Sequence, residues 1–299
     1  MMADIAYAQL TYGSTTVTLG GHSISNDNLF ITDDGIEGWH ASPATKASQT
    51  ERQAGNGAHD VPQVDMLYAA RTVTVHVGCG SSRTTRGERL DAWKKLQYAI
   101  GQQVQFRVVD DTSDTYVDNA YIDLADFDAG RPNGATTGTM TVYCPRPERL
   151  STVLRTGTMV PSSGNGGGLT FDVQNSVAGA LLFPLTFGKG ALRTGNVCTI
   201  VNNGSSTAYP VIEASGSFPN GIIINNTSNG TQLSYNNWVT WQPLILDARS
   251  RTAMINGVDV SRNLNHREFP TIPPGESITL ALIANGSGTV KVTSHDTWI

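Results

Sequence analysis

The densest group of side chains able to do chemistry is acidic. "VVDDTSDTYVDNAYIDLADFDAG" carries Asp110, Asp111, Asp114, Asp118, Asp123, Asp126 and Asp128. Carboxylates in such numbers can hold calcium, but a calcium loop needs oxygen ligands at alternate positions around a glycine and a closing bidentate Glu. "DLADFDAG" has three Asp at the wrong spacing and no such Glu. Two carboxylates facing across a cleft could hydrolyse a glycoside, yet nothing in the spacing selects a pair. Turn formers and a solvated face are the plainer reading of these Asp residues.

Other reactive patterns are sparse. The six histidines, 22, 40, 59, 76, 266 and 295, are scattered, and His59-Asp60 has no nucleophile motif beside it. No Gly-x-Ser-x-Gly elbow, His-Glu-x-x-His or phosphate loop occurs, and "GNGGG" at 164–168 lacks a phosphate-binding Lys. Cys79, Cys144 and Cys198 are far apart and odd in number, which argues against a disulfide framework or zinc site and for buried free thiols. No cofactor or metal is expected. Trp238 and Trp241 bracket "WVTW" and could stack on sugar rings. Three apart in a strand, they would point to opposite faces, one into the core and one outward.

The elements that must position these residues are mostly strands. The 299 residues are 15% charged, with 31 Gly and 13 Pro, a composition suited to short strands and turns rather than long surface helices. "RTVTVHV" and "TMTVYC" alternate with period two, which puts His76 on a polar face. "QVQFRVV" and "YVDNAYIDL" read as a pair around the turn "DDTSD". One helix is legible in "TTRGERLDAWKKLQYAIG". Leu90, Trp93, Leu96 or Gln97, and Ile100 have helical spacing, Thr85 and Glu88 have capping-box spacing, and Gly101 can end the helix. Residues 33–68 are polar and aperiodic, as expected of a functional loop or one that orders on assembly.

A boundary is expected after "CPRPERL", giving a first domain 1–150, a Gly/Ser-rich linker 151–168 and a second domain 169–299. The second domain reads as strands over 191–201, 209–214, 221–226, 231–235, 239–247, 252–255, 277–284 and 289–293. Asn-Gly recurs at 203, 220, 229, 256 and 285, a signal for tight turns with positive φ. Pro210 is expected at a strand start or edge. The fold class is therefore mainly β, with one helix in the first domain and a galectin-type or jelly-roll sandwich in the second.

Charge excludes a nucleic-acid grip. Residues 1–150 hold 18 acids and 12 bases, a net −6, while 151–299 hold 7 acids and 8 bases, a net +1. "MMADIAYAQLTYG" has neither the basic nor the apolar region of a secretory leader, and no apolar run reaches membrane-spanning length, so synthesis in a cytoplasm without membrane insertion is expected.

The order of these pieces resembles the distal tail proteins (Dit) of long-tailed phages, especially those of Gram-positive hosts. "ERQAGNGAHDVP", "RTVTVHVGCG", "RLDAWKKLQYAIG" and "CPRPERL" follow that family's ring-forming domain in order. "LLFPLTF", "NNGSSTAYPVIEASGSFPNGIIINNTSNGTQLSY", "LILDARSRTAMINGVDVSRNL" and "FPTIPPGESITLALIANGSGTVKV" resemble its C-terminal part. The resemblance begins near Gly55. It implies a structural virion protein of the tail tip, made in the bacterial host cytoplasm. The first domains would form a ring, usually a hexamer, that joins the tail tube to the baseplate. The second domains would anchor a tail-associated lysin, tail fibre or receptor-binding protein, and DNA would transit without specific binding. No catalytic residue comes with it. Six copies of the first domain would carry about −36, which suits a conduit that must not hold phosphate. Asp110, Asp111, Asp114 and Asp118, or the 33–65 loop, are the candidates for a lumen-facing surface. The rival readings are a carbohydrate-binding tail protein and a glycan-degrading enzyme.

Overall fold

The computed structural model describes residues 5–23, 28–62, 66–80, 84–125, 136–161 and 194–299. It confirms a mainly β chain. The chain divides into two compact units, one of residues 1–152 with 297–299 and one of residues 153–296.

The first unit contains β1 (Tyr7–Tyr12), β2 (Thr15–Gly20), β3 (Phe30–Glu37), β4 (Arg71–Cys79), α1 (Arg86–Gln97), β5 (Val104–Val109), β6 (Asp114–Ala125), β7 (Thr136–Cys144) and the start of β8 (Arg149–Met159). The strands run β6-β5-β1-β2-β3-β4-β7, and β7 pairs back onto β6, so the sheet closes into a barrel. Closure depends on β6 changing partner. Its first part pairs with β5 and its last part with β7. The change falls at a register shift beside Asn119, whose φ of 56° marks the bulge that bends the strand. A bulge of this kind increases local twist, which a closed sheet requires. The β2–β3 seam is the weak one, a single parallel pairing of Gly20 with Phe30.

Alternation fills this barrel as the sequence predicts. Leu10, Leu19, Ile31, Val73, Val75, Val77, Phe106, Met140 and Val142 are buried in one core. Helix α1 has the predicted capping box, with Thr85 Oγ1 accepting from the Glu88 N–H and Glu88 accepting from the Thr85 N–H. Its buried face differs from the expected one. Arg89, Ala92, Trp93 and Leu96 are buried, while Ile100 lies beyond the helix and is 48% exposed. The apolar spacing is misleading because Arg89 turns inward and donates to the Thr84 carbonyl. Trp93 packs on Gly138 of β7, where a Cβ would lie 2.5 Å from the indole.

The described residues of the 33–68 stretch include regular structure. Asp33–Glu37 belong to β3, and Trp39 is buried edge-on against Phe106 at 5.5 Å. Arg71, 2% exposed, holds this turn. Its Nη1 donates to the carbonyls of Gly38 (2.8 Å), Trp39 (2.9 Å) and Ala41 (2.6 Å), and its Nε to Pro147 (2.9 Å). Burial pulls the guanidinium pKa down from its ordinary value. It remains a cation at neutral pH.

The second unit has β9 (Val197–Val201), β10 (Val211–Ser217), β11 (Ile222–Asn226), β12 (Gln232–Tyr235), β13 (Leu244–Asp247), β14 (Thr252–Ile255), β15 (Val258–Asp259), β16 (Leu264–Arg267), β17 (Ser277–Ile283) and β18 (Ser287–Trp298). One sheet runs β15-β14-β13-β10-β18 and the other β16-β12-β11-β17-β9. Both line one core, in which Ile212, Leu246 and Val292 of the first meet Ile224, Leu233 and Leu280 of the second. This is the expected sandwich. Its strands differ from the predicted spans at several points. The span 191–201 begins as a strand only at Val197, after a 3-10 turn at Thr194–Asn196. β15 and β16 carry too few apolar residues to be read, β13 starts only at Leu244, and β18 runs far past Thr293. Residues 151–159, placed in the linker by composition, belong to β8, and residues 162–168 of that linker and "LLFPLTF" lie outside the described residues.

Pro210 stands immediately before β10, a central strand, so it marks a strand start and not an edge. Asn256-Gly257 forms the predicted tight hairpin, with φ of 49° and 77°. At Asn203-Gly204 no positive φ occurs. There the buried Asn202 side chain shapes the turn, accepting from the Gly204 N–H and donating to the carbonyls of Ser206, Ile272 and Pro273.

Replacing Arg71 by Met should destabilise the first unit by about 3 kcal/mol, because four carbonyls lose a charged donor. Urea unfolding followed by buried Trp39 and Trp93 fluorescence checks this, with the unfolding of the second unit expected to stay in place.

Candidate functional site

The acidic segment is not one site. Asp110 and Asp111 occupy the β5–β6 turn, whereas Asp118 sits at the other end of that hairpin, beside the β6 bulge. Each has a partner. His22 Nε2 lies 3.2 Å from Asp111, and His40 Nε2 lies 3.4 Å from Asp110. Arg149 Nη1 stands 3.2 Å from His40 Nδ1. A guanidinium can only donate, so Nδ1 accepts and Nε2 carries the proton that faces Asp110. Asp114 is forked by Arg107, whose Nε and Nη2 reach its two oxygens at 2.7 and 2.6 Å. That hydrogen bonding holds the Asp114 carboxyl below the ordinary carboxylate range and pushes Arg107 up. Asp118 accepts from Gln105 at 2.8 Å, in an open cleft with Thr11, Gly13 and Asn119. Asp126 and Asp128 lie outside the described residues. The described Asp residues of the segment organise turns and pairs.

The other reactive groups are equally quiet. Among the described residues no cluster of His, Cys, Asp and Glu could hold a metal ion. His76 lies on the outer face of β4, as predicted, 3.5 Å from Glu37. The three cysteines are free and buried. Burial raises their thiol pKa values to about 12 for Cys79, about 11 for Cys144 and about 11 for Cys198. No helix among the described residues is long and apolar enough to cross a membrane.

What the molecule offers instead is surface. Between Ala44 and Ala69 the chain makes an outward excursion. Lys46 N–H donates to Leu67 and Ala69 N–H to Ala44, and Thr45 bridges Tyr68. Further out, His59 N–H donates to the Thr50 carbonyl and then Arg52 N–H to the Gly57 carbonyl. The result is an antiparallel arm with almost every described side chain exposed, including Met66 at 45% and Leu67 at 60%. Sequence reasoning finds the segment through its polarity but misses the arm, because its cross-pairs lie too far apart to form a periodic pattern.

The expected opposition of Trp238 and Trp241 is corrected. Both are exposed, at 61% and 86%. The segment is a loop, not a strand. Only Val239, bridged to Phe218, points inward, and Pro243 delays β13.

A half-buried ion pair lies in the second unit. Asp296, with a side chain 6% exposed, receives Arg155 Nη2 at 2.7 Å and the Asn203 N–H at 3.0 Å. Burial alone would raise its pKa, but Arg155, the Asn203 N–H and nearby His295 outweigh it and the net shift is downward.

No protein-family model matches the sequence, and no curated protein sequence matches it. Solved structures do match. The Dit protein of phage SPP1, described as a paradigm of the hub adsorption apparatus in phages infecting Gram-positive bacteria, superposes with a TM-score of 0.60 at 12% identity, over 98% of this chain and 99% of that one. A chain of the phage p2 baseplate, activated with Sr, gives 0.53 at 8% identity over 96% and 97%. The same baseplate activated with Ca gives 0.52 at 7% identity over 97% and 97%. The chain thus carries, end to end, the fold of the phage Dit and baseplate hub proteins.

Two outcomes follow. The native protein should leave a thiol reagent such as DTNB unreacted over minutes at pH 8 and release all 3 thiols on denaturation. Asp296→Asn should cost about 2 kcal/mol at pH 7. A carboxylate with a lowered native pKa stabilises above its unfolded value and loses that contribution as pH falls, so urea titrations of wild type and variant should converge below about pH 4.

Proposed function

We propose that this chain is the distal tail hub of a long-tailed phage, a structural virion protein of the tail tip. The first unit assembles into a ring, a hexamer on this reading, that continues the tail tube and lets DNA pass. The second unit anchors a tail-associated lysin, tail fibre or receptor-binding protein. The work is assembly, not catalysis. The observation that carries this reading is the end-to-end likeness to the SPP1 Dit protein, since both units are covered together.

The arm supports it. An antiparallel excursion with apolar residues at its base and no core beneath it needs another surface to lie on, and in a closed ring that surface is a neighbouring copy. The net −6 of residues 1–150 supports passage of DNA without a grip, since cationic contacts would hold phosphate. The pairing of Asp110, Asp111 and Asp114 with His and Arg reduces their share of that field. Asp118 and the arm are therefore the better candidates for a lumenal surface.

Mass photometry at micromolar concentration should show a species near six times 31.9 kDa, about 190 kDa. Joining Lys46 to Leu67 through a Gly-Ser turn should abolish that species and leave the melting profile unchanged. A shortened protein that still forms the ring would remove the arm from the assembly, and a wild type that stays monomeric throughout would overturn the hub reading.

A further inference from the structure

The second unit carries a surface that tube continuation does not use. From Ala214 to Leu246 the sequence has no Asp, Glu, Lys or Arg, and the same holds from Ser277 to Val290. These two stretches meet in space. Ser215, Gly216 and Ser217 of β10 lie opposite Thr289, Gly288 and Ser287 of β18. Gly216 and Gly288 face each other so closely that a Cβ on either would come within 2.4 Å of a carbonyl on the other strand. The strip between them therefore stays free of side chains.

Both exposed tryptophans belong to this end. Phe218 and Val239, fully buried and hydrogen-bonded to each other in both directions, draw the 236–243 loop onto the end of β10. Trp238 Nε1 donates to Ser217 Oγ at 3.3 Å, which directs its ring beside the strip. Trp241 is 86% exposed, the most exposed large apolar side chain among the described residues. Asn236, Asn237, Thr240, Gln242, Asn285 and Ser287 are also exposed.

An indole left in water needs a reason, because its face is a large apolar area. The surroundings narrow what could cover it. Nucleic acid needs Lys or Arg against phosphate, and the cation beside the strip, Lys291, stands opposite the carboxylate of Glu213. Protein partners are usually steered and registered by charges spread around the interface rim, whereas the charges beside this strip, Glu213 against Ser215 and Lys291 opposite it, are of opposite sign and lie at one edge, away from the 236–243 loop. Aromatic faces among neutral amides and hydroxyls suit a ligand with apolar C–H faces and a ring of uncharged hydroxyls. We propose that the Trp238–Trp241 end of the second unit binds a neutral polysaccharide. Trp241 supplies the stacking face, Trp238 a second apolar wall, and the Asn, Gln and Ser side chains the hydroxyl contacts. The proposal stands apart from the ring, which involves the other unit.

Trp39 and Trp93 are buried, so quenching by acrylamide reports mainly the exposed indoles. The full-length protein is titrated with dextran, a galactan and a rhamnan, and with poly(glycerol phosphate) as an anionic control. At least one neutral polymer should blue-shift the emission saturably and protect it from acrylamide. Trp241→Ala should weaken that binding roughly tenfold, and Trp238→Ala by a smaller factor. Val258→Ser, at an exposed site on β15, should leave it unchanged. Melting temperatures should not move, since neither indole is in the core. Protection by no neutral polymer, binding of the anionic polymer alone, or equal affinity in both Trp variants overturns the proposal. Protection of the same indoles only by another tail protein assigns a protein interface and also overturns it. Mass photometry reads ring formation separately.

Discussion

The first unit depends on one buried guanidinium. Arg71 sits at the start of β4 and collects carbonyls from two distant stretches, residues 38–41 and Pro147. Those stretches are where the chain leaves the barrel for the arm and where it leaves β7 for β8. A turn pressed into a core brings carbonyls that no neighbouring strand can satisfy, and leaving them unpaired is costly. Arg supplies several fixed donors from one side chain, which no apolar residue and no Lys can match in that geometry. Beside it, Arg149 lies 5.8 Å from the Trp39 ring centre. Burial, then the nearby Arg71 charge, pulls the Arg149 pKa down to about 10. The carbonyls around Arg71 and the indole face beside Arg149 offset part of the repulsion between these like charges.

The second unit solves a similar problem with smaller parts. Asn202, fully buried, and Asp296 hold the 202–206 turn from two sides, one through its amide and one through the Asn203 N–H. This turn does not need the left-handed glycine that Asn203-Gly204 suggests, because a side chain does the work of the backbone. Both units thus place polar side chains inside, where Arg71, Asn202 and Asp296 hold turns through hydrogen bonds to the backbone. What remains outside is an arm without a core and a loop without charges that carries two open indoles. A protein whose buried polar groups are structural and whose unusual features are all on its surface is suited to assembly and contact.

Much of this was legible along the chain. Alternation placed the cores of β4, β5 and β7, the Thr85–Glu88 box placed the start of α1, and Asn256-Gly257 placed a hairpin. These signals lie within a few residues of each other, so local rules read them. The face of α1 was not legible, because a buried Arg looks like a surface residue until its carbonyl partner is known. The arm was not legible for the same kind of reason, since Lys46 and Leu67 pair across 20 residues of polar sequence. The open position of both tryptophans depended on Val239 finding Phe218, which removes the segment from strand geometry.

The sequence by itself determined the class of the molecule. Its low charge, its period-two runs and its recurrent turn pairs commit the backbone to short strands, because local sterics and alternating burial leave few other ways to hide the apolar residues. Only the tertiary structure decided closure, pairing and exposure. Whether β7 meets β6, where Arg71 sends its donors and which indole faces water are set by residues far apart in sequence. Such contacts have energies that no local window contains.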